Sequence, residues 1–254
     1  EDFWLGNAKG IVSYKEGQLG FSEMQGYYTV SRYSGDVKLD VNKKEISVNG
    51  RIPFFDMKDL MKVFSRLVQL PFPITGTGQA TVKAWGPLAL NRMSYDLKSS
   101  VFRGSVASET FDQAHFDVKS VQGEVQTERV QLFKGSAVMN LSGKGQPDGT
   151  IETAISGRDF KLENSVIVSG MGLALSGAVD FDMDMKGPVL TPDTDLRGHL
   201  SKTSIGDQGV ADSTFRLKFG KKTLVGDGSF LGGVLDAGFT IPLSEGSPFT
   251  LKVD

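Results

Sequence analysis

The chain has 254 residues, enough for one large all-β domain or two smaller ones, and its 28 basic and 30 acidic residues nearly cancel, so charge points neither to nucleic acid nor to anionic headgroups. There is no cysteine, which excludes a disulfide framework, a cysteine nucleophile and thiolate metal ligands. No run of 18 apolar residues is present to span a membrane as a helix, and no basic-then-apolar start resembles a signal peptide.

From the N-terminus the text is strand-like, with turn signals at Lys15-Glu-Gly17 and Asn42-Lys-Lys44. Between them Val37, Leu39 and Val41 alternate with polar residues and should share one face. The spacing then changes. From Asp56 to Leu70 the apolar residues Met57, Leu60, Met61, Phe64, Leu67 and Val68 recur at three- and four-residue steps, which predicts a helix. Asp56 would cap it, Pro71-Phe-Pro73 would stop it, and its apolar stripe would cover or cap an apolar sheet face.

Strands resume at Ile74. The apolar sets are Ala80, Val82 and Ala84, then Tyr95, Leu97 and Val101, then Ala114, Phe116 and Val118. They continue with Ala137, Met139 and Leu141, with Ile151 and Ile155 after the turn text 143–149, and with Leu217, Phe239, Ile241 and Leu243 towards the C-terminus. The longest alternation is 171–185, read as one strand. Met171, Leu173, Leu175, Val179, Phe181, Met183 and Met185 fall on one side, and Gly172, Ala174, Ser176, Ala178, Asp180, Asp182 and Asp184 on the other. Short connections imply mostly antiparallel pairing.

The chain repeats loosely. Ile74-Thr-Gly-Thr-Gly-Gln-Ala-Thr-Val-Lys-Ala-Trp-Gly-Pro-Leu88 parallels the window from Gly170 to Val189, and the two Gly-Pro pairs lie 187 − 86 = 101 positions apart. Ala8 to Leu19 likewise parallels Ala114 to Val125, and Asn49-Gly-Arg51 parallels Ser156-Gly-Arg158. We therefore expect residues 1–254 to form one continuous elongated β-groove cut from a longer chain. In it, 1–55 would end one repeat, 56–160 would be a full repeat opening with the helix, and 161–254 a second, incomplete one. Only Leu162-Glu-Asn164 stands where that second repeat would carry its helix.

No chemistry-bearing motif survives inspection. Asp180-Phe-Asp-Met-Asp184 starts like a calcium loop, but Met185 stands where glycine is needed and Thr191 where glutamate is needed. His115 and His199 have no second ligand at metal spacing and suit surface or cross-strand roles. Gly-x-Ser-x-Gly is absent, Gly76-Thr-Gly78 lacks a third glycine, and Asn140-Leu-Ser142 is a sequon too short to mean much. We expect no catalytic residue, no metal, no cofactor and no nucleic-acid partner; the chain reads as a non-enzyme.

The order of helix, Pro-x-Pro stop, "ITGTGQATVKAWGPL", "LKSSVFRG", "FDQAHFDV" and "VQLFKGSAVMNLSGKG" resembles the repeated unit of the AsmA-like family, most closely its TamB branch. The resemblance covers nearly the whole chain as a pattern; the second copy departs from it with Gly-Pro-Val-Leu at 187–190 and no long helix. It implies an all-β chain with one or two helices, whose long, twisted, mostly antiparallel sheet is folded into an open hydrophobic trough. It also implies an inner-membrane-anchored protein in the periplasm of a Gram-negative bacterium, with phospholipids as cargo carried towards the outer membrane. For the TamB branch it further implies an outer-membrane barrel partner of the TamA type in outer-membrane protein assembly. Conduction of acyl chains along the apolar face is the first expectation, with the sets above as its lining. Assembly of outer-membrane proteins, and a closed β-sandwich that transports nothing, remain open.

Overall fold

The computed structural model describes residues 6–64, 73–89, 92–170, 172, 174–220, 222–243 and 250–253. The chain divides into two compact units, residues 1–132 and 133–254. In the first, β1 (Asn7–Lys15), β2 (Gln18–Tyr28), β3 (Ser31–Asp40) and β4 (Glu45–Asp56) lead into helix α1 (Met57–Phe64). β5 (Ile74–Pro87), β6 (Ser94–Val106), β7 (Glu109–Val121) and β8 (Glu124–Lys134) follow. From β1 to β7 each strand pairs antiparallel with the next. The hairpins are tight because residues such as Glu16-Gly17 and Gln122-Gly123 take two successive positive φ values, the turn that matches strand twist.

The second unit contains β9 (Ala137–Gly145), β10 (Thr150–Lys161), a 3-10 turn at Leu162–Asn164 and helix α2 (Val166–Gly170). β11 (Leu175–Pro188), β12 (Asp193–Ile205), β13 (Gln208–Val210), β14 (Ser213–Gly220), β15 (Thr223–Phe230), β16 (Leu235–Pro242) and β17 (Thr250–Val253) complete it. Pairing runs antiparallel from β9 through β12, with β13 and β14 sharing the far edge of β12, and on to β17. Among the described residues the fold is all-β with two short helices, and its long antiparallel sheet is unclosed.

Helix α1 starts where expected. The Asp56 carboxylate accepts the Lys58 N–H at 2.8 Å, and Asp59 one turn on is buried. The helix is described to Phe64; Leu67, Val68 and, of the Pro-x-Pro stop, Pro71 and Phe72 lie outside the described residues, while Pro73 accepts the Ala107 N–H at 3.1 Å. Met57 and Leu60 pack against a core cluster of Phe55, Ala80, Val101, Phe111 and Ala114, all in the first unit.

The long alternation is shorter than the sequence suggests. β11 begins at Leu175, because helix α2 ends at Gly170 and Gly172 takes a φ of 68°. Met171 and Leu173 lie outside the described residues. Ala178 is buried although it stands two residues before Asp180 in unbroken register, next to Gly177, whose φ is 129° at a register shift.

The windows 101 residues apart fold alike. Gly76 and Gly177 both face a two-residue bulge on the next strand, and the neighbouring hydroxyl pairs Thr75–Ser105 and Ser176–Ser204 lie at 2.7 and 2.6 Å. Leu88 N–H donates to Lys44 O as Val189 N–H does to Gly149 O, both at 3.0 Å. One offset differs: Ile52 and Gly157, not Gly50 and Gly157, hold equivalent register positions, against Ala80 and Phe181 respectively. On that alignment the 3-10 turn and α2 stand where α1 stands in the preceding copy, although no helical periodicity announces them.

Candidate functional site: an apolar sheet face in each unit

Because side chains alternate and strands pair in register, residues opposite one another line up in rows across a face. In the first unit one row runs Val37, Val48, Ala84, Tyr95, Ser120. The next runs Gly50, Val82, Leu97, Val118, and a third Ile52, Ala80, Ser99, Phe116. The row at the helix end, Phe55, Gly78, Val101, Ala114, is the buried one. Phe55 lies so close over Gly78 that a Cβ there would meet its Cζ at 2.7 Å. Away from the helix Val37, Leu39, Val82, Leu97, Phe116 and Val118 are only half-buried, and Val41 is exposed.

In the second unit a single apolar row crosses seven strands: Leu141, Ile155, Met183, Leu196, Leu217, Gly226, Phe239. The adjacent row alternates large and small: Met139, Gly157, Phe181, Gly198, Phe215, Gly228. A Cβ at Gly157 would fall inside the Phe181 ring, and one at Gly198 inside the Phe215 ring. The rings lie across the neighbouring backbone, the way a sheet carries large aromatics without neighbours of its own size. Phe160 adds a tilted contact to Phe181, with ring centroids 5.7 Å apart. A third row contains Met185, Thr194, Phe219, Leu224 and Ile241. Ile151 and Leu175 are half-buried on strands β10 and β11, with Val179 opposite Leu200. None of these large residues is buried; Phe219 and Ile241 are exposed.

The described lining residues therefore fall into two faces, one per unit. Several lining residues escaped the sequence reading, although Ile46, Val48 and Ile52 show the same two-residue period, Leu19, Phe21 and Leu196 lie opposite residues it did find, and Phe215 alternates with Leu217.

The opposite face carries the charge. In the first unit Lys98 pairs with Asp117 at 3.2 Å and Lys119 with Glu128 at 3.3 Å, and His115 Nδ1 lies 3.0 Å from Ser100 Oγ. In the second, Arg158 pairs with Asp182 at 2.7 Å, Arg197 with Asp184 at 3.6 Å and Lys186 with Glu152 at 3.6 Å. Arg216 grips Asp195 bidentately; that hydrogen bonding, helped by the charge of Arg216 and Arg197 against partial burial, holds the Asp195 carboxyl down at about 2. His199 Nε2 is 3.7 Å from Asp212. Both histidines thus hold cross-strand positions, and Asp182 and Asp184 are ion-paired on the outer face.

Among the described residues Asp59 is the one buried carboxylate. Burial pushes its pKa up, but hydrogen bonds from Thr29, from Ser31 and from the backbone of Val30 and Ser31 outweigh this and leave it below the ordinary aspartate value. Ser31 Oγ donates to it at 2.8 Å and accepts the Asp56 N–H at 3.0 Å, which pins α1 to the β2–β3 turn. Among the described residues no cluster of three or more metal-ligating side chains is present, and no helix is long and apolar enough to cross a membrane.

Compared with protein-family models, with curated proteins and with solved structures, the chain gives no match.

Proposed function

We propose that this chain is a segment of a lipid-conducting groove, whose apolar faces carry phospholipid acyl chains while the headgroups stay in water. The observation that carries the reading is the thinness of the core. Among the described residues nine apolar side chains are buried, five of them alanine, while row after row of Val, Leu, Met and Phe is left half-covered. A sandwich would bury those rows against a second sheet.

The need for such a face is energetic. Taking a chain of about sixteen CH₂ groups into water costs roughly 0.8 kcal/mol per group, about 13 kcal/mol in all. A continuous apolar lining removes that cost without any headgroup chemistry, and the charges here are paired on the other face. Following the family resemblance, we place the groove in the periplasm of a Gram-negative envelope, within an inner-membrane-anchored protein that passes lipid towards the outer membrane.

The test is site-specific photo-crosslinking in cells. A photoreactive residue at Leu97 or Leu217 should capture phospholipid, and one at Lys83 or Lys218 should not. Capture of an outer-membrane protein chain in place of lipid would favour the assembly reading, and equal labelling from both faces would sink the groove.

A further inference from the structure

Among the described residues four in the middle of strands, none of them glycine, have positive φ: Glu23 at 53°, Arg103 at 48°, Asp159 at 57° and Lys202 at 51°. Each sits at a break in register, where two residues of one strand oppose one of the next. Ser22-Glu23 oppose Asp36, Arg103-Gly104 oppose Gly76, Arg158-Asp159 oppose Asp180, and Lys202-Thr203 oppose Gly177. In the first unit five successive strand pairs, β1–β2 through β5–β6, carry such a shift. In the second, β10–β11 and β11–β12 do.

A bulge of this kind turns an N–H away from its ladder carbonyl and bends and twists the strand. In three of the four an aspartate takes that N–H, from the neighbouring strand for Asp36 and Asp180 and from the β13–β14 connection for Asp212. Glu23 N–H donates to Asp36 Oδ1 at 3.0 Å, Asp159 N–H to Asp180 Oδ1 at 2.7 Å and Lys202 N–H to Asp212 Oδ1 at 3.4 Å. At the fourth, Asp112 stands opposite Arg103, between the pairs Phe102–Gln113 and Gly104–Phe111. The helical segments follow the same line: β4 shifts register between Ile52 and Phe55 just before α1, and β10 between Gly157 and Phe160 just before the 3-10 turn.

We propose that these aspartates are the pins of a crease: by holding the left-handed residue of each bulge they fix where each unit's sheet bends, and hence where its apolar face folds inward. The left-handed conformation is unfavourable for glutamate, arginine, aspartate and lysine. It persists here because a charged acceptor rewards the N–H it presents. Asp180, which the sequence assigns to a solvated outer face beside Asp182 and Asp184, is in this account a positioning residue. The proposal stands whether or not the apolar face carries lipid.

Amide exchange by NMR on the intact chain tests it, together with a distance measurement across one bulge. The amides of Glu23, Asp159 and Lys202 should be protected. Asp180→Ala should speed exchange at Asp159 at least tenfold and leave Glu23 alone, Asp36→Ala should do the reverse, and Asp180→Asn, which keeps an acceptor oxygen, should retain most of the protection. Asp182→Ala should leave the Asp159 amide unchanged. Because the chain has no cysteine, spin labels at Glu152→Cys and Asn164→Cys report the bend of β10 without background. Their separation should lengthen and broaden in Asp180→Ala, with the amides of β14 to β16 still protected as proof that the unit is folded. If that variant fails to fold, Asp36→Ala, read at the Glu23 amide and by labels at either end of β2, gives the same comparison in the first unit. An Asp159 amide that exchanges freely in wild type, or a label separation untouched when protection is lost, overturns the proposal.

Discussion

Truncating a large apolar side chain should cost very different amounts under the helix and on the open face. Phe55 is almost wholly buried, with Ala80, Val101, Phe111 and Ala114 around it and Met57 and Leu60 above. Phe55→Ala removes a ring from a packed site that cannot collapse, so it should cost about 3–5 kcal/mol. Leu39, in the same unit, faces Leu19 and Ile46 across β3 but is only half-buried and lies outside the core cluster. Leu39→Ala removes three carbon groups, worth at most about 2.4 kcal/mol at roughly 0.8 each if fully buried. With the site open there is no cavity to add, so about 1 kcal/mol is expected. Urea unfolding of both variants, followed by the signal of the first unit, gives the two values. A loss of 3 kcal/mol or more for Leu39→Ala would mean that this face is a packed core, and the groove would have to be abandoned.

Acid should loosen helix α1 before it unfolds the sheet. Asp59 has a folded pKa below its unfolded one, so its contribution is complete above the ordinary aspartate value and is lost as pH falls through the folded pKa. Asp59→Asn should cost about 1–3 kcal/mol at pH 7 and flatten the acid limb of a stability-versus-pH curve; an unchanged acid limb would place that titration elsewhere. Gly198→Ala puts a Cβ into the Phe215 ring and should destabilise the second unit by about 1–2 kcal/mol in thermal or urea melts. In a Phe215→Ala background the same change should be neutral or stabilising by about 0.5 kcal/mol, since alanine restricts the unfolded chain more than glycine. A penalty that survives loss of the ring would refute the stacking.

What the sequence could show follows from which interactions are local. Alternation is local, so the facing of Val82, Leu97, Leu141, Met183 and Leu217 was readable from single strands, and so was the helix start at Asp56. The chain's use of bulges was not. A bulge is a relation between two strands, and nothing around Asp159 in Gly157-Arg-Asp-Phe160 says that Asp180, on the next strand, will take its N–H. For the same reason the alternation through 171–185 overran. It contains no signal for the end of α2 at Gly170 or for the positive φ of Gly172 and Gly177.

The two devices that alternation hides act on opposite sides of the same sheet. Phenylalanine laid over glycine spreads apolar surface without thickness: Phe181 covers Gly157, Phe215 covers Gly198, and a Cβ at Gly226 would likewise fall inside the Phe239 ring. Such a face gains little by packing against a second sheet, because its bulk already lies flat on its own backbone. Carboxylates on the charged side meanwhile hold the bulges that bend it. A sequence selected for a closed core would place leucine or valine where Gly157, Gly198 and Gly226 stand, since each glycine forgoes side-chain burial and costs backbone entropy. Their repeated placement opposite phenylalanine is what a sheet needs if its apolar side is to stay smooth, bent and available to a mobile apolar partner.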